Sequence, residues 1–193
     1  CAENAGNLLN LTALARDANV SFNTAKEWLS ILEASFIVFR LVPYSANTRK
    51  RLIKTPKLYF YDNGLLNYLL GIHSPQELAD DPKRGDIFEN LIISETVKRY
   101  RNRNKDCELC FYRDTNQREI DLIDTTQRRN PTLIEIKSGM TARPDFFKHL
   151  ATIGEELGVP TDHRIVVYRG TESFTSKNGR TITAKDYLCL AHS

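Results

Sequence analysis

Thr132-Leu133-Ile134-Glu135-Ile136-Lys137 is the stretch on which the reading of this chain turns. Side chains two apart on a strand share a face. Glu135 and Lys137 therefore stand together, and Ile134 and Ile136 fill the other side. An earlier strand-like run, Glu119-Ile120-Asp121-Leu122-Ile123, carries a carboxylate of its own in Asp121. Further upstream, Glu89 shares a helix face with Ile92, Ile93 and Thr96. Buried carboxylates are costly unless they are paired or bound to a cation. Asp121 and Glu135 are accordingly read as ligands for a hard divalent ion, Mg²⁺ or Mn²⁺. Such an ion polarises a phosphate and lowers the pKa of a bound water. Lys137 would orient that water or stabilise charge on the pentacoordinate phosphate. The plainer alternative makes Glu135 and Lys137 a surface pair on an edge strand and pairs Asp121 with Arg118 or Arg113.

The elements around these residues have a mixed texture. Asp86 is expected to cap a helix from Ile87 to about Tyr100. Strand-like runs follow at Glu108–Arg113, Arg118–Ile123 and Thr132–Lys137, the first two joined by a hairpin turn through Asp114-Thr115-Asn116-Gln117. A helix over Asp145–Leu157, a strand over Arg164–Arg169 and a hairpin at Asn178-Gly179 complete the pattern. Helix, meander, helix and strand imply an α/β (α+β) domain, a mixed sheet flanked by helices.

The first third of the chain reads differently. Leu8, Leu9, Leu11, Leu14 and Ala15 recur at helical spacing. Ser21 is an N-cap for a second helix running to Glu33. Two β-like runs, Phe36–Val42 and Lys57–Tyr61, flank a basic stretch. That order is the winged helix-turn-helix order. Asn23, Thr24 and Lys26 would then face a major groove, and Arg49, Lys50 and Arg51 on the wing would touch phosphates. Asp62 to Gly71 reads as a short helix, and Ser74 to Gly85 as a polar connector.

Bulk properties set the outer limits. The chain has 193 residues, 41% apolar and 26% charged, with a net charge of +3. This is the profile of a soluble, cytoplasmic protein. No apolar run approaches the roughly 20 residues of a membrane span, and no signal peptide is evident. Basic residues concentrate between Phe36 and Phe60 and again at Lys98, Arg99, Arg101, Arg103 and Lys105. Such clusters suit DNA phosphates, or simply a solvated surface. Cys107 and Cys110 form a C-x-x-C, but positions three apart on a strand face opposite ways, so the thiols are read as structural and not as zinc ligands. The chain starts at Cys1, and its one methionine is Met140. A fragment of a longer protein is the expectation.

The runs Gly85-Asp86-Ile87-Phe88-Glu89-Asn90-Leu91, Phe111-Tyr112-Arg113-Asp114, Glu119-Ile120-Asp121-Leu122 and Ile134-Glu135-Ile136-Lys137-Ser138 together resemble the C-terminal domain of a large group of bacterial and archaeal AAA-type ATPases. That domain has no assigned function, and its fold resembles the PD-(D/E)xK nucleases, the restriction-endonuclease-like group. The segment from Leu11 to Tyr61 resembles the winged-helix region that precedes it. The resemblance implies a winged helix over residues 1–73 and a nuclease-like domain over residues 84–193. It matches Glu89 to the helix acid, Asp121 and Glu135 to the metal carboxylates, Lys137 to the motif lysine, and Glu119 to a secondary ligand. It also implies an upstream ATPase domain in the same parent chain. No G-x-x-x-x-G-K-[ST] occurs here, so ATP would bind only in that upstream domain. Two functions follow as expectations: a DNA-binding, Mg²⁺-dependent nuclease module, or a non-catalytic module regulating the ATPase. Oligomeric state is left open.

Overall fold

The computed structural model describes residues 1–45 and 52–192, with backbone alone for 190–192. Arg49, Lys50 and Arg51, expected on the wing, lie outside the described residues. The described residues form a mixed α/β structure of eight strands and seven α-helices, divided into two compact units. The first unit comprises residues 1–41 and 55–94; the second comprises 42–54 and 95–193.

In the first unit, α1 (Leu11–Asp17) and α2 (Phe22–Ala34) are joined by a short turn in which Asn19 adopts a left-handed φ of 52°. Asparagine tolerates that conformation better than most residues. Asn10 caps α1 and Ser21 caps α2, each accepting from a backbone N–H three residues on. Strand β1 (Val38–Pro43) pairs antiparallel with β2 (Lys57–Phe60), Val38 opposite Phe60. Asp62 caps α3 (Asn63–Leu69). The expected connector after residue 74 contains a further helix, α4 (Pro75–Asp80), capped by Ser74 with proline in its first turn. The core of this unit gathers Leu29, Val38, Leu58, Phe60, Leu66 and Ile87.

Helix α5 (Arg84–Asn102) starts two residues before the expected cap, Asp86, and continues from the first unit into the second. Its Asn90 is fully buried and does the work of a strand neighbour within the first unit. The side-chain oxygen accepts from Phe60 N at 2.8 Å, and Nδ2 donates to Phe60 O at 3.1 Å and Asn63 Oδ1 at 2.8 Å. Backbone groups that would cost free energy if buried bare are thereby satisfied.

The second unit is built on strands β3 (Leu109–Arg113), β4 (Glu119–Asp124), β5 (Thr132–Lys137), β6 (Arg164–Tyr168), β7 (Phe174–Ser176) and β8 (Gly179–Thr183). Their order is β3-β4-β5-β6-β8-β7. The β3-β4-β5 meander is antiparallel, β6 runs parallel to β5, and β8 parallel to β6. Val42 and Pro43, at the end of β1, add parallel to β3. The helix expected over 145–157 begins as a 3-10 turn and becomes α6 (Lys148–Leu157). A last helix, α7 (Ala184–His192), was not expected from the sequence. Leu150 and Ile153 of α6 pack on Ile123, Leu133, Val166 and Tyr168.

Two local devices hold this unit. The β3-β4 hairpin turns on Asp114, whose Oδ1 accepts from the N–H groups of Asn116 and Arg118 at 2.9 and 3.1 Å and whose Oδ2 accepts from Arg118 Nε at 2.8 Å. Arg118 also forks onto Glu156 of α6. After α6, the buried Arg164 side chain donates to Val159 O and lies over Gly154, where a Cβ would stand 2.4 Å from Nε. Gly154→Ala is expected to lower stability by about 1–3 kcal/mol through overpacking, measurable by urea denaturation.

Burial alone would raise the Asp114 carboxyl. The Arg118 guanidinium and the two backbone donors outweigh it and hold the pKa below the ordinary aspartate value. A carboxyl whose pKa is depressed by folding stabilises above its unfolded pKa, about 3.9. That contribution is lost as pH falls through the lower, folded value. Asp114→Asn is therefore expected to cost about 2 kcal/mol at neutral pH. The gap from wild type should close as pH is taken below about 4. Urea titrations of both proteins across pH 2–7 check it.

Candidate metal and phosphate site

The antiparallel register sets Leu122 opposite Ile134 and Ile123 opposite Leu133. The ladder ends there, and β4 carries one extra residue against β3 between Ile120 and Ile123, the stretch that holds Asp121. Alternation along β5 sets Glu135 and Lys137 on one face. Asp121, on β4, and Glu135 and Lys137, on the neighbouring β5, all belong to the second unit. Both carboxylates are buried, at 7% and 6% exposure.

Each carboxylate has a defined partner. Asp121 Oδ2 accepts the Ile136 N–H at 2.7 Å, reaching across to the neighbouring strand beyond the end of the β4–β5 ladder. Its Oδ1 makes no hydrogen bond among the described residues. Lys137 Nζ donates to Glu135 Oε1 at 2.5 Å. Strand β5 is an interior strand between β4 and β6, so the pair is not the edge-strand surface pair of the plainer reading. Nor does Asp121 pair with Arg118 or Arg113. Arg118 serves Asp114 and Glu156, and Arg113 meets Glu119 at 3.1 Å.

Glu89 belongs to the first unit. Lys57 Nζ donates to its Oε1 at 3.0 Å, and the Tyr59 hydroxyl donates to the same oxygen at 2.5 Å. Lys57 is 3% exposed, an uncommon state for a lysine. Sequence reading missed Lys57 and Tyr59 as its partners. A signal was present: the β2 run alternates Lys57, Tyr59 on one side with Leu58, Phe60 on the other. Asn23 and Lys26 are exposed on α2, and Thr24 is engaged with the Ser21 cap at 2.8 Å. Trp28 and Ile31 are also exposed on this helix, at 52% and 61%.

Two carboxylates are a sparse donor set. Among the described residues no group of three or more His, Cys, Asp or Glu is placed to hold a metal. Mg²⁺ is nevertheless commonly held by one or two carboxylates, with waters and substrate phosphates completing the shell. Asp121, with Oδ1 still available, and Glu135 are donors of the type that mode uses.

Family models match the chain in two blocks. Residues 1–76 match a domain of unknown function (DUF8612), and residues 84–187 match a domain of unknown function (DUF4143). The chain belongs to the DUF4143 family. DUF4143 domains are commonly associated with AAA-type ATPases. Uncharacterized protein Rv2008c of Mycobacterium tuberculosis and Uncharacterized protein Mb2031c of Mycobacterium bovis are each 30% identical to this DUF4143 chain over 169 residues, which is 88% of the chain and 36% of each relative. The chain therefore spans about a third of the length of these curated relatives. No solved structure matches it.

The Lys57–Glu89 contact is a buried ion pair, with side-chain exposures of 4% and 15%. Breaking such a pair by removing one partner costs about 3–5 kcal/mol. Glu89→Ala is expected to lose about 3 kcal/mol of stability, whereas Glu89→Gln, which keeps an acceptor for the Tyr59 hydroxyl, should lose less. Chemical denaturation of the two variants gives the comparison.

Proposed function

We propose that the DUF4143 chain is the DNA-handling C-terminal module of an AAA-type ATPase, with a Mg²⁺- or Mn²⁺-dependent phosphodiester-hydrolysing site at Asp121, Glu135 and Lys137. The observation that carries this reading is burial. Asp121 and Glu135 are buried carboxylates on two adjacent interior strands, and Lys137 donates to Glu135, where a purely structural sheet would place apolar side chains. The restriction-endonuclease-like reading of residues 84–193 and the winged-helix reading of residues 1–73 belong to the same proposal.

Asp121 and Glu135 would hold the ion through their oxygens. Bound there, it would supply Lewis acidity toward a phosphate oxygen and toward an attacking water. Lys137 places a positive charge beside the reacting phosphate and can hold a water by hydrogen bonding. The Ile136 N–H fixes the Asp121 carboxylate, so that less freedom is lost when a ligand is taken up. Glu89, in the first unit, is matched to the helix acid by the resemblance alone. Asn23, Thr24 and Lys26 would meet the duplex from α2.

A specific observation favours a second reading. Trp28 and Ile31, three positions apart on α2, expose large apolar surface beside Lys26. Such surface suits a protein partner better than a phosphate backbone. In that case the chain is a non-catalytic module that docks on or regulates the ATPase, and the acid pair is vestigial.

The test uses supercoiled plasmid, single-stranded and branched DNA with Mn²⁺. Wild type is expected to nick at least one substrate, and Lys137→Ala and Asp121→Asn should each lose about 100-fold or more. Equal background in wild type and variants rejects hydrolysis. Calorimetry with Mn²⁺ alone separates the two readings: uptake abolished by Asp121→Asn supports the metal site, and no uptake at about millimolar ion leaves the docking module.

A further inference from the structure

The opposite face of the second unit's sheet carries a cavity of about 280 Å³ that the proposed chemistry does not use. Alternation along β5 settles the face: Thr132 and Ile134 line the cavity, with Asp124 opposite Thr132, and Glu135 and Lys137 point the other way. Its floor is Ile134, Ile165 and Ile182, from three neighbouring strands.

Two guanidiniums line it, Arg99 from the last turns of α5 and Arg180 from β8. Neither makes an ion pair or a side-chain hydrogen bond among the described residues. The lining has a single carboxylate, Asp124, and it is occupied. Its Oδ2 accepts the Tyr100 hydroxyl at 2.5 Å, and its Oδ1 accepts the Thr126 N–H at 3.0 Å. His163 adds an imidazole whose Nδ1 lies 3.4 Å from Thr132 Oγ1. The cavity is therefore net positive, with its cations unspent.

The rest of the lining is suited to a flat body. Tyr100 and Tyr187 contribute rings; burial pushes both phenols up to about 12, so they stay neutral. The Tyr187 hydroxyl is engaged with Thr96 at 2.9 Å. Asn130 and Gln127 are exposed at the mouth, and their amides carry both donors and acceptors. Arginine pairs, aromatic faces and amides are the groups that hold phosphates, stack bases and read base edges. A volume below the usual range of about 300–1,000 Å³ limits the occupant to one nucleotide unit.

We propose that this cavity binds a single nucleoside monophosphate unit, its phosphate between Arg99 and Arg180 and its base against the isoleucine and tyrosine surface. The unit has two sources, a free mononucleotide or the 5′-phosphorylated end of a strand. The proposal does not depend on the acid face, and it is tested in EDTA.

The experiment is calorimetric titration of the full 193-residue chain with the four ribonucleoside monophosphates, adenosine, inorganic phosphate, and short single strands bearing a 5′-phosphate or a 5′-hydroxyl. At least one monophosphate or the 5′-phosphorylated strand should bind about tenfold more tightly than phosphate or nucleoside alone. Tighter binding of the 5′-phosphorylated strand identifies a strand end, and tighter binding of the monophosphate identifies a free nucleotide. Arg99→Ala and Arg180→Glu should each weaken it by about tenfold or more, with the melting temperature of the unliganded protein unchanged. The proposal is overturned if nothing binds below about 1 mM, if inorganic phosphate binds as well as any nucleotide, or if both variants bind like wild type.

Discussion

Everything the second unit does depends on the pairing register of β4 with β5. A slip of one residue would exchange the two faces of the strand. It would carry Glu135 and Lys137 off the face that packs on α6 and Ile134 and Thr132 out of the cavity. Apolar patterning alone specifies this register poorly, because Leu122, Ile123, Leu133 and Ile134 are all almost fully buried, on both faces. Polar contacts supply what the pattern lacks. The Asp114 turn fixes how β3 enters β4, and the Asp121 carboxylate on the Ile136 N–H ties β4 to β5 beyond the end of their ladder. Opposite Cys110–Tyr112, β4 carries one extra residue between Ile120 and Ile123.

Buried polar groups in this chain fall into two kinds. Asn90, Asp114 and Arg164 have their bonds spent on backbone groups or on a neighbouring cation, and they act as locks. Each replaces a secondary-structure hydrogen bond that the local geometry cannot supply. Asp121, Arg99 and Arg180 differ: each keeps bonding capacity that no described residue uses. Capacity of that kind is what a binding face needs, because a group already saturated would have to break a bond before taking a ligand.

The legible part of the fold was the part written in local chemistry. Ser21 and Asp62 announce helix starts through their side-chain oxygens, and Asn178-Gly179 marks the β7–β8 hairpin. The Glu135-Ile136-Lys137 alternation gave the acid face directly, since period two needs no tertiary information. Other features were hidden for physical reasons. Ser74-Pro75 is a cap followed by a first-turn proline, yet the same residues also mark loops, so α4 was read as a connector. Leu188 and Leu190 stand two apart, a strand-like spacing that masked α7. Lys57 looked like one more basic residue of a phosphate-facing stretch; only the fold shows that its ammonium is spent on Glu89. The cavity draws on α5, β4, β5, β6, β8 and α7, and no spacing in the chain signals such a convergence.

The two faces of one sheet thus carry different groups. Glu135 and Lys137 are paired on the side that packs on α6, and Arg99 and Arg180 line the cavity on the other. The basic run from Lys98 to Lys105 is not uniformly solvated. Lys98 is spent on Glu95, whereas Arg99, one position on, turns to the cavity. A helix rotates side chains by about 100° per residue, so adjacent cations in one charge cluster can serve unrelated ends.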